Sequence, residues 1–259
     1  MTARDPAPRA TFQEQVLDRL GRDICAGRYR PGELLPSEAE LCERFAFSRI
    51  VIREAIKSLA AKGMLEVRRR VGTLVLEPAR WNLFDSSVMA WRVGSGQVDP
   101  AMSRDLGELR RIVEPAAVRL AALRASDDER RALRAAYMTM ARAVAGKGDY
   151  VTADLAFHAA LLAACGNQYL RQMQQAMSAV LQASFKLTAG KPGGPALTLP
   201  MHEAVCLAIE QRDPVAAERA ALALIEQAEA DLEDRLRARL PAPAAVGRPA
   251  SGRKPLRTA

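Results

Sequence analysis

Two serines eleven residues apart, Ser37 and Ser48, set the narrowest limits on what this chain can fold into. Each stands directly before a run with helical apolar spacing. Serine is a strong N-cap because its hydroxyl accepts a hydrogen bond from the free N–H groups of a first turn. Glu40, three residues after Ser37, is the reciprocal partner of a capping box. The "EAELCERF" between them has room for about two turns, and "AFS" has room only for a tight turn. After Ser48, the residues Ile52, Ala55, Ile56 and Leu59 recur at i, i+3, i+4 and i+7, which predicts a second helix over 48–62 with one buried stripe, ending at Gly63.

The flanking segments complete a unit. A helix is expected from Thr11 to about Ala26 on the stripe Val16, Leu20 and Ile24, and "GRYRPGELLPS" breaks it. "MLEVR" and "TLVLE" alternate apolar and polar residues around a turn, the pattern of a two-stranded hairpin. Helix, helix, turn, helix and hairpin over 10–77 make a winged helix-turn-helix. Arg49, Ile50 and Arg53 lie off the apolar stripe at the mouth of the second capped helix. In this motif that helix enters the major groove N-terminus first, where a guanidinium can bond guanine O6 and N7 together. The hairpin tip, with Arg69, Arg70 and Gly72, is placed to touch phosphate or the adjoining minor groove. The helix heads at Ser37 and Ser48 present N–H groups that suit phosphate. Two arginines one turn apart also fit an ordinary solvated face. The caps, the turn, the hairpin and the location of charge together favour DNA.

That charge is unevenly spread. Of the net +8, residues 1–77 carry +3, residues 78–239 carry +1 and residues 240–259 carry +4. A polyanion therefore meets the front module and not the middle of the chain. Residues 1–9 and the Ala/Pro/Gly/Arg-rich 240–259 read as a disordered arm and a disordered basic tail.

From residue 78 onward strand alternation disappears. A linker helix is expected at about 82–93 within a 78–99 linker, then an all-α domain over 100–239, with helices at 100–124, 126–145, 149–165, 167–188, 198–211 and 213–239. The fold class is thus mainly α, a winged helix-turn-helix followed by an all-α bundle. Cys25, Cys42, Cys165 and Cys206 are far apart, form no C-x-x-C pair, and read as buried thiols of a reducing compartment. No apolar run approaches membrane-span length, so no membrane partner and a cytoplasmic location are expected.

The two histidines stand in the helical region. His158 follows Asp154 by four residues, so both share one helical face, and His202 lies on another helix. Two nitrogen ligands and one oxygen ligand from two helices could hold a divalent metal. A buried histidine with a carboxylate partner fits the same spacing.

The segment from Gly27 to Val75 resembles the DNA-binding domain of the GntR family of bacterial transcription regulators, through Pro31-Gly32, Leu35-Pro36-Ser37-Glu38, Glu40-Leu41, Ser48-Arg49, Arg53-Glu54-Ala55, Leu59, Gly63 and Gly72. The resemblance implies that Arg49 and Arg53 contact bases or phosphates. The chain departs from the family pattern at Ala39, where many members carry a charged contact residue, and at Arg70, where the wing usually has its first glycine. "ELRRIVEPAAVRLAA", "DLAFHAALLAACGN" and "MHEAVCLAIEQRDPVAAERA" resemble the FCD effector-binding domain of the FadR subfamily. Many such domains bind a metal through one Asp and three His. By resemblance Asp154, His158 and His202 are three of these, and the fourth position falls near Leu224. This implies a divalent metal, with zinc the expected ion, and open positions for an oxygen-rich effector. Arg110, in the pattern Glu108, Arg110, Glu114, resembles the residue that faces an effector carboxylate; its other reading is a helix-surface ion pair with Glu114. "ARWNLFDSSVMAW" adds a likeness to the sugar-acid-responsive, galactonate-type branch; alternatively Trp81, Leu83, Phe84 and Trp91 only staple the linker onto a core.

The reading is a ligand-responsive repressor that binds a palindromic double-stranded operator as a homodimer and is released by a small carboxylate such as a sugar acid. It is not expected to be an enzyme. A metal-dependent all-α enzyme tethered to DNA lacks support, because no Ser/His, Cys/His or acid–base pair accompanies the histidines. A regulator responding to metal or to another organic acid is a further alternative. A sequence-independent DNA-coating protein would carry net positive charge throughout, and residues 78–239 are nearly neutral.

Overall fold

A computed structural model of the chain describes residues 11–95, 100–188 and 193–239. The arm at 1–9 and the tail at 240–259 expected to be disordered lie outside the described residues.

The N-terminal unit is built from its caps. Helix α1 (Phe12–Cys25) starts at a Thr11–Glu14 capping box, and α2 (Glu38–Phe45) at the Ser37–Glu40 box. Helix α3 (Arg49–Ala61) is capped by Ser48. Ala46 takes a left-handed conformation (φ 57°) to make the tight turn between α2 and α3. Strands β1 (Leu65–Arg68) and β2 (Gly72–Val75) pair antiparallel with Leu65 opposite Val75, and Leu34 adds a bridge to Leu74. Val16, Leu20, Leu41, Ile52, Leu59 and Met64 close the core beneath these elements. The expected stripes of α1 and α3 are its buried faces.

The remaining helices are α4 (Ser86–Gly94), α5 (Pro100–Arg124), α6 (Asp127–Val144), α7 (Tyr150–Ala164), α8 (Gln168–Gln172), α9 (Gln174–Thr188), α10 (Gly194–Glu210) and α11 (Pro214–Arg239). The chain is mainly α, a winged helix-turn-helix followed by a helical bundle. Phe157, Leu133, Met140 and Ile209 centre the bundle core, drawn from α6, α7 and α10.

The linker differs from expectation. Residues 78–80 form a single 3-10 turn, and α4 begins only at Ser86, because the Asp85 carboxylate accepts from the N–H groups of Ser87 and Val88. The helix expected over 167–188 is divided at Met173, whose N–H is shared between the carbonyls of Tyr169 and Leu170, both at 3.1 Å. Apolar spacing runs on through that turn, so the sequence carried no sign of it. Helix α10 starts four residues before the expected 198, with Gly193 at positive φ as its cap and Pro195 in its first turn. Cys165 and Cys206 are buried as expected, whereas Cys25 and Cys42 are only half-buried. Burial nevertheless pushes the Cys25 and Cys206 thiols up to about 12, so neither ionises near neutrality.

Helix α4 packs on the N-terminal core and on a separate apolar cluster of α5 and α9. Its Trp91 ring lies flat on Gly21 of α1, where an added Cβ would sit 2.4 Å from the ring, and the indole N–H donates to Asp18 at 2.7 Å. Lys62, the C-cap of α3, reaches Asp85 at 2.6 Å and gives its carbonyl to the Asn82 N–H at 2.8 Å. On its other side Met89 is buried with Ala179, Val180 and Ala183 of α9 and with Met102 and Leu106 of α5. Trp81 and Trp91 do staple the linker onto the N-terminal core. Leu83 and Phe84 do not, being 39 % and 51 % exposed.

Candidate DNA-binding surface and metal centre

Ser37 and Ser48 sit exposed at the heads of α2 and α3, with their hydroxyls accepting from the backbone N–H groups of Glu40 and Val51. Arg49, Ile50 and Arg53 are exposed along one side of α3, Ile50 at 75 %. The α2 helix places Glu38 beside them, and its carboxylate draws both guanidinium groups into one cluster. Glu38 was not among the expected site residues, although its position within "LPSE" was legible. Arg69 and Arg70 are exposed at the hairpin tip, and Arg68 is held by Glu66 at 2.8 Å. Arg70 adopts φ 63°, a conformation that favours glycine. The departure from the usual wing glycine is therefore a real strain, with the chain keeping glycine-like geometry and adding a positive charge. Gly72 has φ 132°, which closes the turn into β2.

The second constellation is internal. Asp154 and His158 share a face of α7, and His202 comes across from α10; all three are buried. One ligand atom from each can be chosen so that all lie within 4.8 Å of one another. Asp154 Oδ1 is 3.1 Å from His202 Nε2, and Oδ2 is 3.5 Å from His158 Nε2. Two residues one turn upstream complete the arrangement. Tyr150 donates its hydroxyl hydrogen to Asp154 Oδ1 at 3.1 Å, and the Thr198 carbonyl lies 2.8 Å from His202 Nδ1. Sequence reasoning missed both, though each stands four residues before a candidate ligand. Burial pushes the Tyr150 hydroxyl up, with Asp154 adding to the shift, so it remains a donor.

The hydrogen bond to Thr198 puts a proton on His202 Nδ1. A neutral ring then turns its Nε2 lone pair toward a carboxylate oxygen, a repulsive contact unless a cation lies there or the ring is doubly protonated. Asp154 Oδ2 has no hydrogen-bond partner although it is buried. Buried polar atoms are rarely left so. At a tetrahedral zinc with bonds of about 2.0–2.1 Å, neighbouring ligands stand about 3.3 Å apart, and the two Asp154–His approaches bracket that spacing. The donor set of two imidazoles and a carboxylate therefore fits a divalent metal.

Beside this centre Arg110 and Glu114 of α5 form an ion pair, Nε to Oε1 at 2.7 Å. It is not the surface pair that spacing alone allowed, since both side chains are less than a tenth exposed. Burial raises the Glu114 carboxyl, but Arg110 and His158 together hold the group below the ordinary carboxylate range. Leu224, the expected place of a fourth ligand, is buried and has no donor atom. Asn167 is the N-cap of α8.

Comparison with known proteins agrees with both halves. Residues 12–75 match the model described as bacterial regulatory proteins, gntR family, and residues 105–227 match the FCD domain. The galactonate operon transcriptional repressor of Escherichia coli is 37 % identical over 82 % of this chain and 93 % of its own length. The transcriptional repressor NanR of Cronobacter sakazakii is 27 % identical over 84 % of each. Among solved structures, Lar, described as controlling expression of the Listeria monocytogenes agr system, shares the fold at a TM-score of 0.67 and 18 % identity, covering 88 % of this chain and 99 % of its own. Among the described residues no helix is long and apolar enough to cross a membrane. The chain belongs to the GntR family of transcription regulators and carries its FCD domain.

Proposed function

We propose that this regulator is a repressor released from its operator by a sugar acid, which it binds at a metal held by Asp154, His158 and His202. The observation that carries the reading is the buried Asp154 carboxylate, which faces His202 through Oδ1 and His158 through Oδ2, with Oδ2 lacking a hydrogen-bond partner. The likeness to a galactonate operon repressor supports the effector class. With leucine at the fourth family position, the metal keeps open sites for hydroxyl and carboxylate oxygens. Zinc suits the two nitrogens, and other divalent first-row ions would be tolerated. Arg110 spends Nε and Nη2 on Glu114, which leaves Nη1 for an effector carboxylate.

DNA binding is assigned to Ser37, Ser48, Arg49, Ile50 and Arg53, with Arg69, Arg70 and Gly72 at the wing. One such helix reads only a few base pairs, so a homodimer on two symmetric half-sites is required for specificity. Ile112 and Leu123, 72 % and 52 % exposed, lie three turns apart on one face of α5 and offer apolar surface for a second copy. A cytoplasmic location follows from this reading.

Thermal-shift titration with galactonate and related sugar acids tests it, with zinc supplied or chelated. A bound effector at about a hundred times its Kd stabilises by about 2.7 kcal/mol. The expected result is a shift only when metal is present, followed by release of a DNA duplex in a gel-shift assay. If no sugar acid raises the melting temperature of zinc-loaded protein, the effector class is wrong.

A further inference from the structure

We infer that Glu114, held by Arg110, is the positioning residue that makes His158 present Nε2, not Nδ1, to the metal. The inference rests on the metal site proposed above and extends it to a carboxylate that would not itself touch the metal.

His158 lies between two carboxylates. Its Nε2 is 3.5 Å from Asp154 Oδ2, and its Nδ1 is 3.6 Å from Glu114 Oε2. Both distances are longer than an ordinary hydrogen bond, and the ring is buried. A neutral imidazole has one N–H and one lone pair, and only the lone pair can bind a cation. If Nε2 ligates, the proton must sit on Nδ1, and in a buried setting that N–H requires an acceptor. Glu114 Oε2 faces it, and a closure of about half an ångström completes the bond.

The remaining contacts of Glu114 fit the same role. Arg110 takes Oε1 strongly through Nε at 2.7 Å and Oε2 only weakly through Nη2 at 3.4 Å. The oxygen nearer His158 therefore keeps acceptor capacity. Arg110 also fixes the orientation of the carboxylate and compensates its charge, which a buried carboxylate needs. His202 solves the same problem by a different route, since its Nδ1 is anchored on the Thr198 carbonyl at 2.8 Å. Both rings thus turn Nε2 toward the two oxygens of Asp154, one steered by a backbone carbonyl and the other by a carboxylate. Outer partners of this kind are worth 10- to 100-fold in metal affinity.

The chain has two histidines, so a ring-nitrogen spectrum of untagged protein has only two systems to assign. Protein labelled with ¹⁵N-histidine and loaded with Zn²⁺ alone should show both rings bound through Nε2 and protonated at Nδ1. Glu114→Gln, checked by far-UV circular dichroism, should bind Zn²⁺ about 10- to 100-fold more weakly in competition with a chelator. A ligating Nδ1 on His158, or a folded variant with wild-type affinity, overturns the inference while leaving the metal site standing. The wild-type spectrum decides even if the variant does not fold. Wild-type protein that takes up no Zn²⁺ overturns the metal site and this inference together.

Discussion

Arg53 of α3 sends its Nε to both carboxylate oxygens of Glu38 at the head of α2, at 2.8 and 2.9 Å, and Arg49 approaches the same carboxylate at 3.9 Å. Both ends of the pair are substantially exposed, so it is held weakly and can be exchanged for DNA. Glu38 gathers the two guanidinium groups and places a negative charge where a phosphate backbone would pass. The two residues should therefore have opposite effects. Arg53→Ala should weaken binding to a selected operator by about 1–3 kcal/mol. Glu38→Gln should tighten binding to unrelated duplex and lower the ratio of operator to unrelated affinity. Anisotropy titrations on both duplexes at several salt concentrations measure this, and an unchanged ratio for Glu38→Gln would rule out the role given to the carboxylate.

Arg70 sits at the wing tip with φ 63°, where a residue with a Cβ is strained by about 1–2 kcal/mol. Arg70→Gly should relieve that strain and raise the melting temperature. The same change removes one positive charge from the wing tip. Affinity should fall for all sequences alike, and the salt dependence should drop by about one counterion. A variant that is less stable than wild type would show that the arginine side chain contributes packing here that outweighs its backbone strain.

Gly21 faces the Trp91 ring so closely that an alanine Cβ would lie 2.4 Å from it. The contact joins α1 to the linker helix, whose other side carries Met89 into the bundle. Gly21→Ala must displace the indole and break its bond to Asp18. Overpacking of this kind costs about 1–3 kcal/mol. Tryptophan emission should shift to the red as Trp91 leaves its site, and the thermal transition of the DNA-binding unit should move down. Unchanged emission would mean that the ring is not fixed against α1 in solution.

The DNA-binding unit was legible in the sequence almost residue by residue, because its signals are local. Ser37 with Glu40, and Ser48 before the Ile52–Leu59 stripe, are caps and spacings within a few residues of one another. Of the candidate metal ligands, Asp154 and His158 were joined by their spacing of one turn, while His202 was named from its residue type and the family resemblance, and only the tertiary structure brings it beside them. Glu114 is more distant still. Its approach to His158 depends on how α5 packs beside α7, and spacing within α5 suggested only a surface pair with Arg110. The turn at Met173 left no trace because nothing in its residue types interrupts a helix. The clustering of Arg49 and Arg53 on Glu38 is a contact between α3 and α2, which the periodicity of neither helix alone reveals.

The metal centre should make the bundle less stable when empty than when filled, and Asp154 is the residue that decides this. Its carboxylate is buried, Oδ2 has no hydrogen-bond partner, and Oδ1 faces a ring nitrogen that is a lone pair in neutral His202. Leaving a buried acceptor unsatisfied costs about 1–3 kcal/mol, and more when it is charged. Zinc removes that cost, so chelation should lower the melting temperature of wild-type protein and zinc should restore it. Asp154→Asn removes the charge while keeping the shape. In the chelated state it should melt at or above the wild-type temperature, and zinc should no longer raise it. His158→Ala should also lose the zinc response, yet both variants should still shift operator DNA, because the recognition surface on α2, α3 and the hairpin is built without them. Scanning fluorimetry with and without chelator, beside a gel shift of the same samples, makes the comparison. If chelated Asp154→Asn melts well below chelated wild type, the carboxylate is a stabilising part of an ordinary buried network, and the centre is not one that waits for a cation.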